Sequence, residues 1–291
     1  MSDVPPAFYE TAFETAPVGM ALLDLFGRWF RVNPALARTL GRTVPDLLVT
    51  DPSALRDPDD LAIDAAAFAE VAAGAEAATV DQRYRHRAGH VVWLRRRTSL
   101  VRGAAGLPEY VVAVYEDVGA RREEDARLIH LALHDPLTGL ANRALLDDRL
   151  AQAVAARDRD GGAVVVLFCD VDGLKSLNDR HGHTFGDQVL IAVAERLVSQ
   201  VRSGDTVARF GGDEFVVVCH LRAGLDESRM AERLTVGVEG GPPLIAPDGS
   251  SVPVRISVGQ EVARVGELDV HQLLRDADRS MYTAKRSRDT G

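Results

Sequence analysis

The C-terminal half of the chain carries long apolar segments separated by helical spacings. Residues 163–169 form an unbroken apolar run, which predicts a strand buried on both faces. Apolar residues then recur at helical spacing from 189 to 197, and two short apolar segments, 206–210 and 215–219, flank a Gly-Gly turn. The pattern predicts the order strand, acidic loop, short helix, Gly/His loop, long helix, strand, turn and strand.

The N-terminal part shows a different pattern, in which short segments alternate between apolar and polar positions. A helix is predicted over residues 34–40, because Asn33 is a favourable N-cap. Alternating segments predict strands at residues 80–87, 90–100 and 109–118. The first two are separated by Ala88-Gly89, which predicts a hairpin turn.

Residues 119–134 connect these two parts of the chain. The segment is charged and helix-prone, with a thin apolar stripe formed by Ala126, Ile129 and Leu133. The stripe predicts a linker helix that could pair with a second copy of the chain.

Length and composition limit the possible classes of function. A chain of 291 residues is long enough for two domains with their own cores. Its net charge of -9 argues against a nucleic-acid-binding surface. The sequence has neither an apolar run of about 18 residues nor a charged-then-apolar N-terminal signal, so we expect no membrane segment. The two cysteines lie in buried-type strands and predict a reducing, cytoplasmic location.

Carboxylates gather at the ends of the predicted C-terminal strands. Asp170 follows the buried run directly, and Gly211-Gly212-Asp213-Glu214 forms the turn between two strands. If the first strand pairs antiparallel with the strand after the turn, Asp170 meets Asp213 and Glu214. Bare glycine backbone beside such acids suits a divalent cation and a nucleoside triphosphate. A hairpin with solvated charges is the alternative.

The C-terminal sequence resembles the GGDEF family of diguanylate cyclases, whose name is the signature read at residues 211–215. Further segments that match the family lie at residues 134–143, 168–179, 182–187, 256–259 and 277–285. The resemblance implies an α/β domain of the ferredoxin-like or palm type, with a βααββαβ sheet flanked by helices. The N-terminal part, roughly residues 8–118, resembles a PAS sensor domain, an antiparallel sheet with helices.

These resemblances imply three segments: a PAS sensor domain at 1–118, a signalling helix at 119–134 and a GGDEF domain at 135–291. The implied activity is the condensation of two GTP molecules to cyclic di-GMP and two pyrophosphates. An active homodimer is implied, because one domain holds one GTP. The ligand of the PAS domain stays open, and the domain could serve only for dimerisation.

The resemblance also assigns roles to the acids at the turn. Asp170, the carbonyl of Val171, Asp213 and Glu214 match metal ligands, and the metal is Mg²⁺ or Mn²⁺. Asp213, Glu214 and Lys175 match catalytic positions, with Glu214 placed to assist metal binding or deprotonation.

A second set of residues matches the substrate contacts of the family. Asn178 and Asp187 match the readers of guanine, and Gly211 and Gly212 give the bare backbone of the turn. Lys175 and Lys285 match phosphate contacts, and they are the only lysines among 34 Lys and Arg residues. One position departs from the family pattern. Asp289 stands where a phosphate-contacting arginine is usual, so that Arg286 or Arg288 would have to substitute.

Arg202 and Asp205 precede the signature and resemble the allosteric product site of the family, which Arg233 would complete. A surface turn with a weak ion pair is the alternative. A second function also stays open, a catalytically silent receptor of cyclic di-GMP or GTP that signals through protein contacts.

Overall fold

A computed structural model of the chain describes residues 5–222, 229–264 and 270–289. Its contacts divide the chain into two units, Met1–Ala126 and Arg127–Gly291. The division falls within the charged segment 119–134, which forms one helix, Gly119–Leu133. In the described part of the chain, no helix combines the length and the apolar character needed to cross a membrane.

The N-terminal unit is built on a five-stranded antiparallel sheet. Its strands are β1 (Gly19–Leu23), β2 (Trp29–Val32), β3 (Ala78–Arg85), β4 (Val91–Arg102) and β5 (Pro108–Asp117). Its helices are α1 (Pro6–Thr15), α2 (Pro34–Thr39), α3 (Val44–Leu48) and α4 (Leu61–Ala72), with two 3₁₀ turns at Pro52–Leu55 and Pro58–Asp60. The strand order is β2-β1-β5-β4-β3, and the predicted β3–β4 hairpin is confirmed.

Asn33 explains why α2 begins where the sequence predicted. Its side-chain oxygen accepts hydrogen bonds from the amides of Leu36 and Met20, at 3.0 and 2.9 Å. The same side chain therefore caps α2 and ties the helix to β1. Leu36 is fully buried in the core between the helices and the sheet.

The C-terminal unit is built on a four-stranded antiparallel sheet. Its main strands are β6 (Ala163–Val171), β7 (Thr206–Arg209), β8 (Glu214–Leu221) and β11 (Ile256–Arg264), and a separate hairpin consists of β9 (Leu244–Ile245) and β10 (Ser251–Val252). Its helices, after α5 (Gly119–Leu133), are α6 (Arg143–Asp160), α7 (Leu174–His181), α8 (His183–Gln200), α9 (Met230–Glu239) and α10 (Val270–Asp289). The strand order is β11-β6-β8-β7.

Strand β6 is buried on both faces, as its apolar run predicted. Val165, Leu167 and Cys169 face a core shared with α8 and α9, whereas Val166 and Phe168 face a second core shared with α6 and α10. Helices on both sides thus exclude water from the sheet, and polar side chains are accommodated only where the strands end. This arrangement places the acids after residue 169 at one rim of the sheet. The short β9–β10 hairpin was not predicted, and the predicted Gly/His loop is reduced to Gly182 between α7 and α8.

Candidate active site

The acids predicted to meet at the sheet rim do lie together. Strands β6 and β8 pair with Asp170 directly opposite Glu214, and the Val171 amide donates to the Asp213 carbonyl at 3.1 Å. Burial raises the pKa of Asp170, and the charges of Asp213 and Asp172 add to the increase, while Lys285 opposes it. Burial likewise raises the pKa of Glu214, helped by the charges of neighbouring acids. The rim therefore concentrates negative charge in a partly buried place.

Lys285 reaches this rim because helix α10 packs unusually closely on β11. A Cβ atom added to Gly259 would lie 2.0 Å from the Met281 nitrogen and 2.3 Å from the Ala277 oxygen, so only glycine fits there. The close packing brings Lys285 Nζ to 2.5 Å from Asp170 Oδ1. Burial lowers the pKa of Lys285, but its hydrogen bond to Asp170 and the nearby acids raise that pKa above its ordinary value.

The Gly-Gly turn is held by an arginine that precedes it. Arg209 donates to the Gly212 carbonyl at 2.7 and 3.2 Å and to the Asp135 carboxylate at 3.1 and 3.2 Å. Asp135 in turn accepts from the amide and the hydroxyl of Thr138, at 2.9 and 2.7 Å. Burial raises the pKa of Asp135, but the hydrogen bonds from Thr138 and Arg209 bring it below its ordinary value.

Neither Arg209 nor Asp135 was among the site residues predicted from the sequence. The available signal was position alone, because Asp135 lies in the family-like segment 134–143 and Arg209 directly precedes the turn. The contacts assign both residues to the support of the turn.

A second polar position lies where α7 meets α8. The side-chain oxygen of Asn178 is buried and has no hydrogen-bond partner among the described residues. A Cβ atom on Gly186 would come within 1.8 Å of that oxygen, so the glycine leaves the space that the amide fills. Asp187 follows Gly186 and is exposed, and Lys175 is exposed on the first turn of α7. A buried, unpaired amide oxygen beside an exposed carboxylate offers acceptors for the N–H donors of a nucleobase edge.

Arg202, Asp205 and Arg233 gather at the opposite end of β7. The Arg202 amide donates to Asp205 Oδ2 at 3.0 Å. Burial, together with the charge and hydrogen bond of Asp205, raises the pKa of Cys219 to about 12, and the charges of Arg233 and Arg202 oppose this increase. The charges of all three residues therefore act on one thiol on β8. At about 3.3 Å per residue, the four residues of β7 separate Asp205 from the turn by about 13 Å.

Comparison with known proteins identifies the family. The family model described as "Diguanylate cyclase, GGDEF domain" matches residues 132–290, more than half of the chain. The chain belongs to the GGDEF family. A second model, described as "PAS fold", matches residues 30–115, so the N-terminal unit has a PAS fold. The predicted fold class is confirmed by both matches.

Curated relatives of the GGDEF unit are found in Pseudomonas aeruginosa. The bifunctional diguanylate cyclase/cyclic di-GMP phosphodiesterase MucR is 45% identical over 158 residues, which are 54% of this chain and 23% of MucR. The diguanylate cyclase TpbB is 40% identical over 166 residues, which are 57% of this chain and 38% of TpbB. The chain therefore spans well under half the length of these relatives.

Solved structures share the fold of the GGDEF unit. The coiled coil and GGDEF domain of DgcB from Caulobacter crescentus, in complex with c-di-GMP, aligns with a TM-score of 0.53 and 29% identity, over 58% of this chain and 89% of that one. The diguanylate cyclase SiaD from Pseudomonas aeruginosa, in complex with its activator SiaC, aligns with a TM-score of 0.50 and 33% identity, over 58% and 64% of the two chains.

The rim of the GGDEF sheet fits a hard divalent cation by its chemistry. The ligands predicted from the sequence, the carboxylates of Asp170, Asp213 and Glu214 and the carbonyl of Val171, would all donate oxygen. Among the described residues, no three His, Cys, Asp or Glu side chains lie close enough to hold a metal ion together. Mg²⁺ does not require three such side chains, because it usually takes one or two carboxylates and completes its shell with substrate phosphates and water. Burial raises the pKa of Asp170 and of Glu214, so a bound cation would favour the ionised form of both carboxylates.

The C-terminal end of the GGDEF unit ties Arg288 to the protein. Arg288 Nη1 donates to the Ile256 carbonyl and to Glu239, each at 2.7 Å, and lies 3.4 Å from Asp172. The sequence predicted that Arg286 or Arg288 would replace a phosphate-contacting arginine. In this structure Arg288 is committed to backbone and carboxylate partners. The side chain of Asp289 lies outside the described residues.

Proposed function

We propose that this chain is a diguanylate cyclase that condenses two GTP molecules to cyclic di-GMP and two pyrophosphates under the control of its PAS unit. The observation that carries the proposal is the pairing of Asp170 with Glu214 across β6 and β8, beside Asp213. The diguanylate cyclase names of MucR and TpbB support it.

The metal and the phosphates are assigned to the rim. Asp170, the carbonyl of Val171, Asp213 and Glu214 would hold Mg²⁺ or Mn²⁺, which when bound supplies positive charge to the phosphate oxygens. Asp213, Glu214 and Lys175 carry the catalytic roles, and Glu214 assists either metal binding or deprotonation. Lys285 rests on Asp170 at 2.5 Å, a position from which it can move to a phosphate without leaving the site. Lys175 is exposed on the first turn of α7 and is assigned to the phosphates as well.

Guanine recognition is assigned to Asn178 and Asp187. Asp187 can accept from the N1–H and N2–H₂ donors of guanine, and Asn178 can pair with one of its acceptors. Adenine presents the reverse pattern on the same edge. The side-chain oxygen of Asn178 is buried and unpaired, so it needs a donor such as the N2–H₂ of guanine, whereas the Nδ2 of the same amide is the group that can donate to a guanine acceptor. Gly211 and Gly212 let the ligand approach the backbone of the turn.

Regulation and assembly complete the proposal. The PAS sensor is 1–118, the signalling helix is 119–134 and the cyclase domain is 135–291. Two such domains must meet, since each holds one GTP. Helix α5 could bring them together, because it has no buried residue and exposes the apolar side chains of Leu128, Ile129 and Leu131, on which two helices could pair.

Product binding at Arg202, Asp205 and Arg233 would inhibit the enzyme from a distance. The three charges gather beside Cys219, away from the substrate turn. The protein is expected in the cytoplasm, and its free, buried cysteines support this location.

The test is an incubation of purified protein with GTP and Mg²⁺, followed by chromatography of the nucleotides. Asp170→Asn and Glu214→Gln should each reduce turnover by about a hundredfold or more, because the placement of charge carries phosphoryl transfer. Glu195→Gln, which changes an exposed acid on α8, is the matched control. Near-normal turnover in either rim variant would refute the assignment. A wild-type protein that binds cyclic di-GMP and makes none would instead be the silent receptor.

A further inference from the structure

The PAS unit buries a cluster of three charged side chains that has no role in the proposed reaction of the GGDEF unit. The side chains of Arg96, Arg56 and Asp64 are only 1%, 7% and 11% exposed. Arg96 Nη2 lies 2.5 Å from Asp64 Oδ1, and Arg56 Nη1 pairs with the other carboxylate oxygen of Asp64. Gln82 also donates to Asp64, at 3.1 Å. One carboxylate therefore faces two guanidinium groups.

The excess positive charge falls on Arg96. All three guanidinium nitrogens of Arg96 are buried and make no hydrogen bond within the described residues, so that Nη2 has its ion pair with Asp64 and Nε and Nη1 have no acidic partner. Arg56, by contrast, also donates from Nε to the Tyr84 hydroxyl at 3.3 Å. Leaving a charged donor buried and unpaired is costly, so such an atom calls for a missing acceptor.

Neighbouring acids do not supply that acceptor. Asp60 is committed to Arg83, which it meets at 2.7 and 3.1 Å. Asp51 is exposed and accepts from the Ser53 amide at 2.8 Å. Burial raises the pKa of Tyr115 above its ordinary value, so this phenol stays neutral. Asp51 also lines the cavity described below, and the hydrogen bonds of Ser53 and the charge of Arg56 lower its pKa. Among the described residues, no acid hydrogen-bonds to the Nε or Nη1 of Arg96.

These charges line a cavity of about 400 Å³. Arg56, Asp64 and Arg96 form its polar end, and Leu23 and Phe68 belong to its apolar wall. The volume lies within the range of ligand pockets, which are mostly apolar with a few placed polar groups.

We propose that this cavity binds a small organic acid whose carboxylate pairs with Arg96 and whose apolar body lies against Leu23 and Phe68. The buried Nη1 of Arg96 can donate a charge-assisted hydrogen bond to an oxygen of such a carboxylate. One carboxylate is enough to pair with Arg96, whereas a second would be repelled by Asp51 and Asp64, which also line the cavity. The apolar wall disfavours a small hydrated oxyanion such as phosphate. Binding here does not require that the chain make cyclic di-GMP.

The experiment titrates the full chain with benzoate and hexanoate, with benzamide and hexanamide as neutral controls of the same shape. Calorimetry and the thermal unfolding temperature measure binding. The wild type should bind at least one acid tenfold or more tightly than its amide. Arg96→Met should abolish that preference, and Arg97→Met, which removes the adjacent exposed arginine of β4, should retain it.

A further variant keeps the test decisive if Arg96→Met does not fold. Ala65→Leu adds volume at an exposed position of α4 that lines the cavity, and it leaves both arginines in place. It should weaken binding of the acid by tenfold or more. Equal binding of acid and amide by the wild type, or unchanged acid binding in Ala65→Leu, would overturn the proposal. Inorganic phosphate that binds as tightly as the acids would overturn the assignment to an organic acid.

Discussion

Gly186→Ala tests the guanine site most directly, because the change adds one methyl group and no charge. The new Cβ atom would stand 1.8 Å from the oxygen of Asn178, far inside van der Waals contact. Asn178 must then leave its position. Gly186 lies in the first turn of α8. Because alanine has a higher helix propensity than glycine, the substitution does not destabilise the helix itself.

The displacement of Asn178 sets the expected loss of activity, and the helix propensity of alanine sets the expected change in stability. Displacing Asn178 leaves a polar group of guanine unpaired, which costs about 1–3 kcal/mol. This corresponds to a loss of about five- to 150-fold in kcat/KM for GTP. The preference for GTP over ATP should fall by a similar factor, because the lost contact is specific to guanine. Helix propensity alone would stabilise the fold by about 1 kcal/mol, and the displaced amide reduces this gain.

The assay is a double-mutant cycle of Gly186→Ala and Asn178→Ala, read by steady-state kinetics with GTP and ATP and by urea unfolding. Each single variant should lose activity toward GTP, and the double variant should lose little more, because both changes remove the same contact. In the Asn178→Ala background, Gly186→Ala should raise the free energy of unfolding by about 1 kcal/mol. Strictly additive losses in kcat/KM would refute the reasoning.

Three further predictions concern the turn, the assembly and the product site. Arg209→Met should lower kcat/KM for GTP by about ten- to a hundredfold, because it removes the charged bonds to Gly212 and Asp135; an equal loss in Arg149→Met, an exposed arginine of α6, would contradict this. Specific activity should rise with enzyme concentration unless the PAS unit already dimerises, and full activity in a monomeric sample would exclude a dimeric reaction. Arg202→Ala should weaken binding of cyclic di-GMP by about ten- to a hundredfold in calorimetric titration, and unchanged affinity would remove Arg202 from the product site.

The sheet rim could be predicted from the sequence because its signals are local. An unbroken apolar run fixes β6 as a central strand, and the acids that follow it must then lie where the strand ends. Pairing the run with the segment after Gly212 leaves Asp170 opposite Glu214, and the structure has this register. The N-cap at Asn33 is equally local, and α2 begins there.

Contacts between segments that are distant in the sequence could not be predicted, because no local pattern of residues marks them. Arg95, Arg96 and Arg97 are adjacent and chemically identical. Because successive residues of a strand face opposite sides, the sequence shows that Arg96 faces away from the other two, but not which side is buried. Which side is buried depends on where α4 packs, and this packing puts Arg96 beside Asp64. Arg209 and Asp135 are likewise 74 residues apart, and only the fold reveals that they hold the turn together.

Each of the two units buries charged side chains at its proposed site, which are mainly negative in the GGDEF unit and mainly positive in the PAS unit. At the rim of the GGDEF sheet, burial and mutual repulsion raise the pKa of Asp170 and Glu214, so the site favours an added cation. In the PAS unit, Arg96 is buried with free donors, so the site favours an added anion. Neither the rim carboxylates nor Arg96 is needed for the free energy of folding, because replacing buried charged groups by well-packed apolar residues is often neutral or stabilising. Charges that cost stability are retained where a ligand binds, and on this reasoning we expect both sites to have ligands.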